Sequence, residues 1–199
     1  MKSEIWLVRH GSTEWSEAGR HTGRSDMPLS DAGRAAAAAL APLLANHEFG
    51  LVLSSPASRA LDTAHLAGFE GCEVAPDLRE WDYGDVEGVT TADVRKRGPE
   101  WTQWTVWGGP VPGGETLDEV ATRAARIVAR ADASAGDTLL FGHGHQLRIL
   151  AAGALELGPG AGARFALHPA SVSVLGYEHE RRVLRLWNFD SASPASSRP

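Results

Sequence analysis

Two histidine–glycine pairs stand far apart in this 199-residue chain: His10-Gly11 near the start, preceded by Arg9, and His143-Gly144 late in the sequence. A neutral imidazole held in one tautomer is a competent nucleophile. Arginine's planar fork pairs with phosphate oxygens at two points. A second arginine, Arg59, falls in the first turn of an expected helix, where a cation opposes the helix dipole; it either binds an anion or points to solvent. Two guanidinium groups and two imidazoles brought together would form a phosphate site. One imidazole would attack phosphorus and the other charges would stabilise the equatorial oxygens of the transition state. The leaving alkoxide then needs a proton. The carboxylate-rich stretch from Asp77 to Gly88 offers Glu80 first, with Asp82, Asp85 and Glu87 behind it, and a neighbouring phosphate would raise the pKa of such an acid.

A metal site is the rival reading. His143 and His145 are two residues apart and His10 is remote, so a three-histidine zinc site is conceivable. No carboxylate or thiol stands at ligand spacing from them, and Arg9 would repel a cation. No metal and no cofactor are therefore expected.

These residues need elements that bring them together. Ile5 to Val8 is a short apolar run, read as a strand buried on both faces, and it ends at Arg9-His10-Gly11. Ligands in open α/β sheets bind beyond the carboxyl ends of strands, so Gly11 is expected to let the backbone approach the ligand. Leu51 to Leu53 is a second strand, leading through Ser54-Ser55-Pro56 to a helix over about 57–67 that carries Arg59. Glu73 to Ala75 is a third. Thr138 to Phe141 is a fourth, ending in Gly142-His143-Gly144-His145, with a helix from Gln146 to Leu155. Helices are also expected over Asp31–Asn46, N-capped by Ser30, and after the capping box Thr116/Glu119. Each of these helices following a strand would aim backbone N–H groups at an anion. Trp101, Trp104 and Trp107 recur every three residues, which predicts one side of a helix gluing a lid to the body; a wall at the substrate entrance is the other reading. Val172–Tyr177 and Val183–Trp187 read as an edge hairpin, and 190–199 as a disordered tail. Strands alternating with helices give an α/β fold, a three-layer sandwich with a mostly parallel central sheet.

Composition narrows the classes. Lys plus Arg is 19 and Asp plus Glu is 25, for a net charge of −6, which argues against nucleic acid and anionic membranes as partners. One cysteine, Cys72, allows no internal disulfide and suits a reducing compartment. No signal-peptide pattern and no apolar run of ~18 residues are present, so a cytoplasmic location is expected.

Arg9-His10-Gly11 after an apolar strand and His143-Gly144 after a late one occur here with further ordered stretches. These are Thr22-Gly23-Arg24 running on to Pro28-Leu29-Ser30, Ser54-Ser55-Pro56 leading to Arg59, Leu78-Arg79-Glu80-Trp81, and Gly113-Gly114-Glu115-Thr116. In this order, from Trp6 to about Trp187, they resemble the histidine phosphatase superfamily, whose fold is phosphoglycerate mutase-like. The resemblance implies a single domain over 1–189 with a lid-like insertion near 88–115. It implies His10 as the phosphorylated nucleophile, Arg9, Arg59 and His143 as the phosphate pocket, and Glu80 as proton donor and then base. Thr22 and Gly23 would line the substrate side, Ser16 stands where relatives often have asparagine, and the Gly144 backbone would touch phosphate. Glu115 occupies a position that some relatives use as an alternative acid.

Mutases of this family carry a lysine after the acid loop and an arginine pair in the insertion. Thr91 stands at the lysine position, and the segment from Trp101 to Trp107 has no arginine, so hydrolysis is expected over phosphoryl transfer between substrates. His145 and Arg24 resemble the branch holding broad-specificity acid phosphatases and sugar-bisphosphatases, where they would meet a second phosphate or a sugar hydroxyl. Some relatives are silent phosphate-sensing or docking modules, but these have normally lost a residue that this chain keeps. The expected partner is a small phosphorylated substrate. The exposed hairpin could also pair two copies as a homodimer.

Overall fold

Along β1 (Ile5–Arg9), Ile5 and Leu7 enter one apolar core while Val8 enters another, the alternation of a strand covered on both faces. The computed structural model describes residues 2–190. After β1 come α1 (Glu14–Glu17), α2 (Asp31–Ala38), α3 (Ala41–Leu44), β2 (Leu51–Ser54), α4 (Ser58–Leu66), β3 (Glu73–Val74) and α5 (Thr91–Val94). They are followed by α6 (Leu117–Asp132), β4 (Thr138–Gly142), α7 (Gly144–Ala154), β5 (Ser171–Glu178) and β6 (Arg181–Asp190). The six strands lie in the order β3-β2-β4-β1-β5-β6. The first four are mutually parallel; β5 and β6 add the antiparallel edge that the hairpin pattern predicts.

This order places the chemistry. In register, Arg9 faces Gly142 across β1 and β4, and Ser54 faces Phe141 across β2 and β4. The residues that follow, His10, His143 and Ser55, therefore leave the sheet at the same end of three adjacent strands. Val8, Leu139 and Phe141 pack with Leu40, Leu44 and Ala64 on one face. Leu7, Leu53 and Leu140 pack with Ile127, Leu147 and Leu150 on the other. The result is the expected three-layer sandwich.

Two helix expectations fail for local reasons. The helix over Asp31–Asn46 breaks after Ala38 and resumes at Ala41. Pro42 has no N–H to offer the Ala38 carbonyl four residues back, and its ring would strike it. The tryptophan stripe is not helical: one 3-10 turn, Pro99–Trp101, is followed by turns as far as the Gly108-Gly109-Pro110 stretch. Trp104 is buried and donates to the Pro110 carbonyl. With Val94 and Val106 it joins the larger core, so this part of the insertion is integral packing. The expected tail lies outside the described residues beyond Asp190, which itself ends β6.

Candidate active site

His10 is 5% exposed and its ring centroid lies 5.1 Å from that of His143. His10 Nδ1 meets the Gly11 carbonyl at 2.7 Å. A carbonyl only accepts, so Nδ1 carries the proton and Nε2 keeps its lone pair. Burial, then the charges of Arg9 and Arg59, hold this imidazole well below its ordinary value and keep it neutral. His143 is fully buried, with Nε2 2.7 Å from Ser55 Oγ and no partner for Nδ1. Ser55 Oγ also accepts from the Ala57 N–H; with the Ser55 proton given to His143 Nε2, Nδ1 is the ring nitrogen that carries hydrogen.

Arg59 does not point to solvent: it is fully buried in the first turn of α4. Its terminal nitrogens clamp the carbonyls of Thr22, Gly23 and Ser25, while its Nε has no partner. Arg9 donates to the Leu167 carbonyl, and its Nε is likewise buried and unpaired. Unpaired buried donors are costly, and here Arg9, Arg59 and His143 hold three of them around two imidazoles. An anion would satisfy them.

Glu80 adjoins this cluster. A Cβ added to Gly144 would sit 3.5 Å from the Arg9 guanidinium and 3.6 Å from Glu80 Oε2, so this glycine lies between the two in ordinary contact distance. Glu80 accepts from three backbone N–H groups: Trp81 at 2.9 Å, His145 at 3.0 Å and Gln146 at 2.9 Å. It thereby caps the start of α7, where His143 supplies no side-chain cap. Burial pushes the Glu80 carboxyl up, but His145 and these N–H groups outweigh it and hold it below the usual range. The carboxyl is thus ionised without an anion beside it, and the raised pKa of an acid depends on phosphate arriving.

The helix ends expected to receive phosphate are largely occupied. The N–H groups of His145 and Gln146 go to Glu80, and that of Ser58 at the start of α4 goes to Asp26. Gly11 does not make room for a ligand: a Cβ there would lie 2.4 Å from the Gly33 carbonyl, so it admits helix α2. The Ser16 hydroxyl is engaged with the Thr13 backbone in a capping box. Gly23 N–H goes to Glu87, and Arg24 pairs with Asp82 at 2.6 Å with its side chain 80% exposed. Glu115 is no free acid: it pairs with Arg123 and accepts from the Asp82 N–H.

Two hollows share Glu80 in their walls. One, of about 720 Å³, is lined by His143, Ser55, Gly23 and Arg24. The other, of about 370 Å³, is lined by Arg9, His10, Ser16, Thr22, Gly144 and His145. The second also takes in His21, Tyr83, Trp107 and Arg148. Of the three spaced tryptophans, Trp107 lines the second hollow, while Trp104 is packed into the core. Sequence reasoning missed Ser55 as the partner of His143 and Tyr83 as that of His145. Neither has a period or spacing to announce it; each acts across 62 or more residues of chain.

Two buried imidazoles at strand ends, unpaired guanidinium donors beside them and a buried carboxylate alongside form a site suited to a phosphate group. The chain belongs to the histidine phosphatase superfamily (branch 1), whose family model matches residues 5–190. It is 42% identical to an acid phosphatase of Mycobacterium tuberculosis over 90% of this chain and 89% of that protein. It is 32% identical to sedoheptulose 1,7-bisphosphatase of Saccharomyces cerevisiae over 73% of this chain and 65% of that one. A probable phosphoglycerate mutase of Photorhabdus laumondii is 31% identical over 95% of this chain and 92% of its own length. Among solved structures, that of the open reading frame Rv3214 from Mycobacterium tuberculosis superposes with a TM-score of 0.89 at 39% identity, covering 96% of this chain and 100% of that one.

Proposed function

We propose that this protein is a metal-independent phosphomonoesterase acting on small phosphate esters, sugar phosphates foremost, through a phosphohistidine at His10. The observation that carries the reading is the His10 tautomer: Nδ1 tied to the Gly11 carbonyl and Nε2 left free among unpaired guanidinium donors. In the first step Nε2 attacks phosphorus and the bond to the leaving oxygen breaks. Arg9, Arg59 and His143 Nδ1–H hold the equatorial oxygens. Protonated Glu80 gives its proton to the departing alkoxide; the substrate dianion beside it opposes its ionisation. In the second step the Glu80 carboxylate takes a proton from water as the water oxygen attacks phosphorus. The N–P bond breaks, phosphate leaves, and His10 and Glu80 return to their starting states. No step requires a metal ion.

Hydrolysis is favoured over transfer to a second substrate by the Thr91 position. Its hydroxyl pairs with His21 Nε2 at 3.2 Å, and a threonine holds no second phosphate by charge. The test is a phosphate-release screen over sugar phosphates, sugar bisphosphates, phosphoglycerates and nucleotides. Release from sugar esters without a phosphorylated acceptor supports the reading. Turnover only when an acceptor or a phosphorylated cofactor is present overturns it in favour of a mutase.

A further inference from the structure

The second hollow holds a contact that this mechanism does not use. The Tyr83 hydroxyl lies 2.6 Å from His145 Nδ1. Tyr83 is 2% exposed, and among the described residues His145 is the one hydrogen-bond partner of its hydroxyl. A buried phenol must place its proton on an acceptor. Nδ1 of His145 is the acceptor in reach, so that nitrogen carries no proton and the hydrogen of the neutral ring sits on Nε2. The rest of the ring is fixed as well. The His145 backbone N–H is bound by Glu80, and the ring lies 5.2 Å from Trp107, 5.8 Å from Tyr83 and 6.3 Å from Trp81. His145 lines the hollow beyond Arg9 and His10, and its side chain remains 21% exposed there. Nδ1 is spent on Tyr83, so the polar atom left to face the hollow is an N–H donor.

We propose that Tyr83 is a positioning residue that locks His145 as a neutral Nε2–H donor, making His145 a specificity determinant that reads an uncharged oxygen on the leaving group. The ligand class is a polyol ester: a hydroxyl or ring oxygen accepts from Nε2–H, and Trp107, in the same wall with the Arg148 guanidinium 4.7 Å over its ring, adds apolar surface beside the carbon skeleton. A locked neutral donor gives a single hydrogen bond and no ionic attraction, so a second phosphate gains no ion pair from His145. Burial, joined by the positive charges of Arg148, His21 and Arg9 and opposed by Glu80, holds this imidazole down at about 4, and burial first, then the Glu80 charge, keeps the Tyr83 phenol protonated. Both agree with the hydrogen-bond argument.

This inference rests on the hydrolytic reading above, and its test separates the two. The ring nitrogens of His145 in the whole protein are assigned by ¹⁵N NMR at pH 7. A pyridine-type Nδ1 with a pyrrole-type Nε2 is expected; a protonated Nδ1 overturns the proposal whatever the enzyme turns over. Then kcat/KM is measured with ribose 5-phosphate, a polyol ester, and with phenyl phosphate, which has no hydroxyl to read. His145→Leu is expected to lose roughly five- to tenfold more on the polyol ester than on phenyl phosphate, the scale of one neutral hydrogen bond. His145→Gln, which keeps an N–H donor, is expected to recover part of that difference. Tyr83→Phe is expected to show the same preference with a smaller loss. Equal proportional losses on the two esters would assign His145 and Tyr83 a structural role only. If Tyr83→Phe does not fold, the wild-type NMR assignment and the two His145 variants decide. Failure of the unaltered protein to release phosphate from either ester would instead sink the hydrolytic reading.

Discussion

The strand-end side of the candidate site and the side that carries Glu80 are built by different means. Arg9, His10 and His143 sit at the ends of adjacent parallel strands, and Arg59 follows β2 in the first turn of α4. Sheet hydrogen bonds fix their positions. Glu80, Tyr83 and Trp107 come from a stretch without long elements, where side chains must replace the sheet. Arg123, 7% exposed, reaches from α6 to the carbonyls of Asp77, Arg79 and Glu80 and to both oxygens of Glu115. Glu115 in turn accepts from the Asp82 N–H, and its carbonyl accepts from the Trp81 indole. Glu80 is thus placed by a staple and His10 by a ladder. Damage at the first end should abolish chemistry, while damage at the second should make it depend on the leaving group.

The largest effect is expected from His10→Ala, which should lower phosphate release from an aryl phosphate by about 10⁴-fold or more and abolish acid-labile labelling of the protein. Retained turnover would remove the nucleophile from the strand end. Next, Glu80→Gln should cost about 10²–10³-fold on alkyl esters and far less on esters of acidic phenols. An equal loss on both would show that the two ends are one unit. Arg123→Met should show the same leaving-group dependence in milder form. It should also lower unfolding free energy by about 1–3 kcal/mol in urea, as several buried carbonyls and part of Glu115 lose their donor. A uniform drop in kcat with no leaving-group dependence would make Arg123 a purely structural residue.

The smallest effect is on stability against pH. His10, His143, His145 and His21 are all held below the ordinary histidine value, burial being the first cause in each case. Below about pH 6.5 the unfolded chain takes up protons that the folded one refuses. Stability should therefore be full above about 6.5 and decline as pH falls toward the depressed folded values, that of His145 being about 4. Urea titrations between pH 7.5 and 4.5 giving one flat midpoint would contradict the burial of this imidazole cluster. Saturating phosphate should lessen the decline if it protects the strand-end pair.

The same contrast explains what could be read from the chain. Strand ends are legible because apolar runs stop at Arg9-His10 and at His143, and parallel pairing then forces the ends together. The capping box at Thr116 and Glu119 is local and forms as expected. The α2–α3 break is legible too, in Pro42, although the run of alanines at 35–39 favours one continuous helix. The staple was not legible. Arg123 lies 43 residues from the carbonyl of Glu80 and sits in an amphipathic helix where an arginine reads as solvent-facing. The occupation of helix N–H groups by Glu80 and Asp26 was equally hidden, since nothing in a sequence says which of several carboxylates will reach an open helix end.

Because Glu80 fastens the first turn of α7, each proton that it accepts weakens its grip on the amides of His145 and Gln146. A catalytic cycle of this kind would unlatch and relatch one helix end once per turnover. Those two amides would then exchange with solvent faster when a phosphate analogue occupies the cup than when it stands empty, the reverse of the slowing that a bound ligand ordinarily brings.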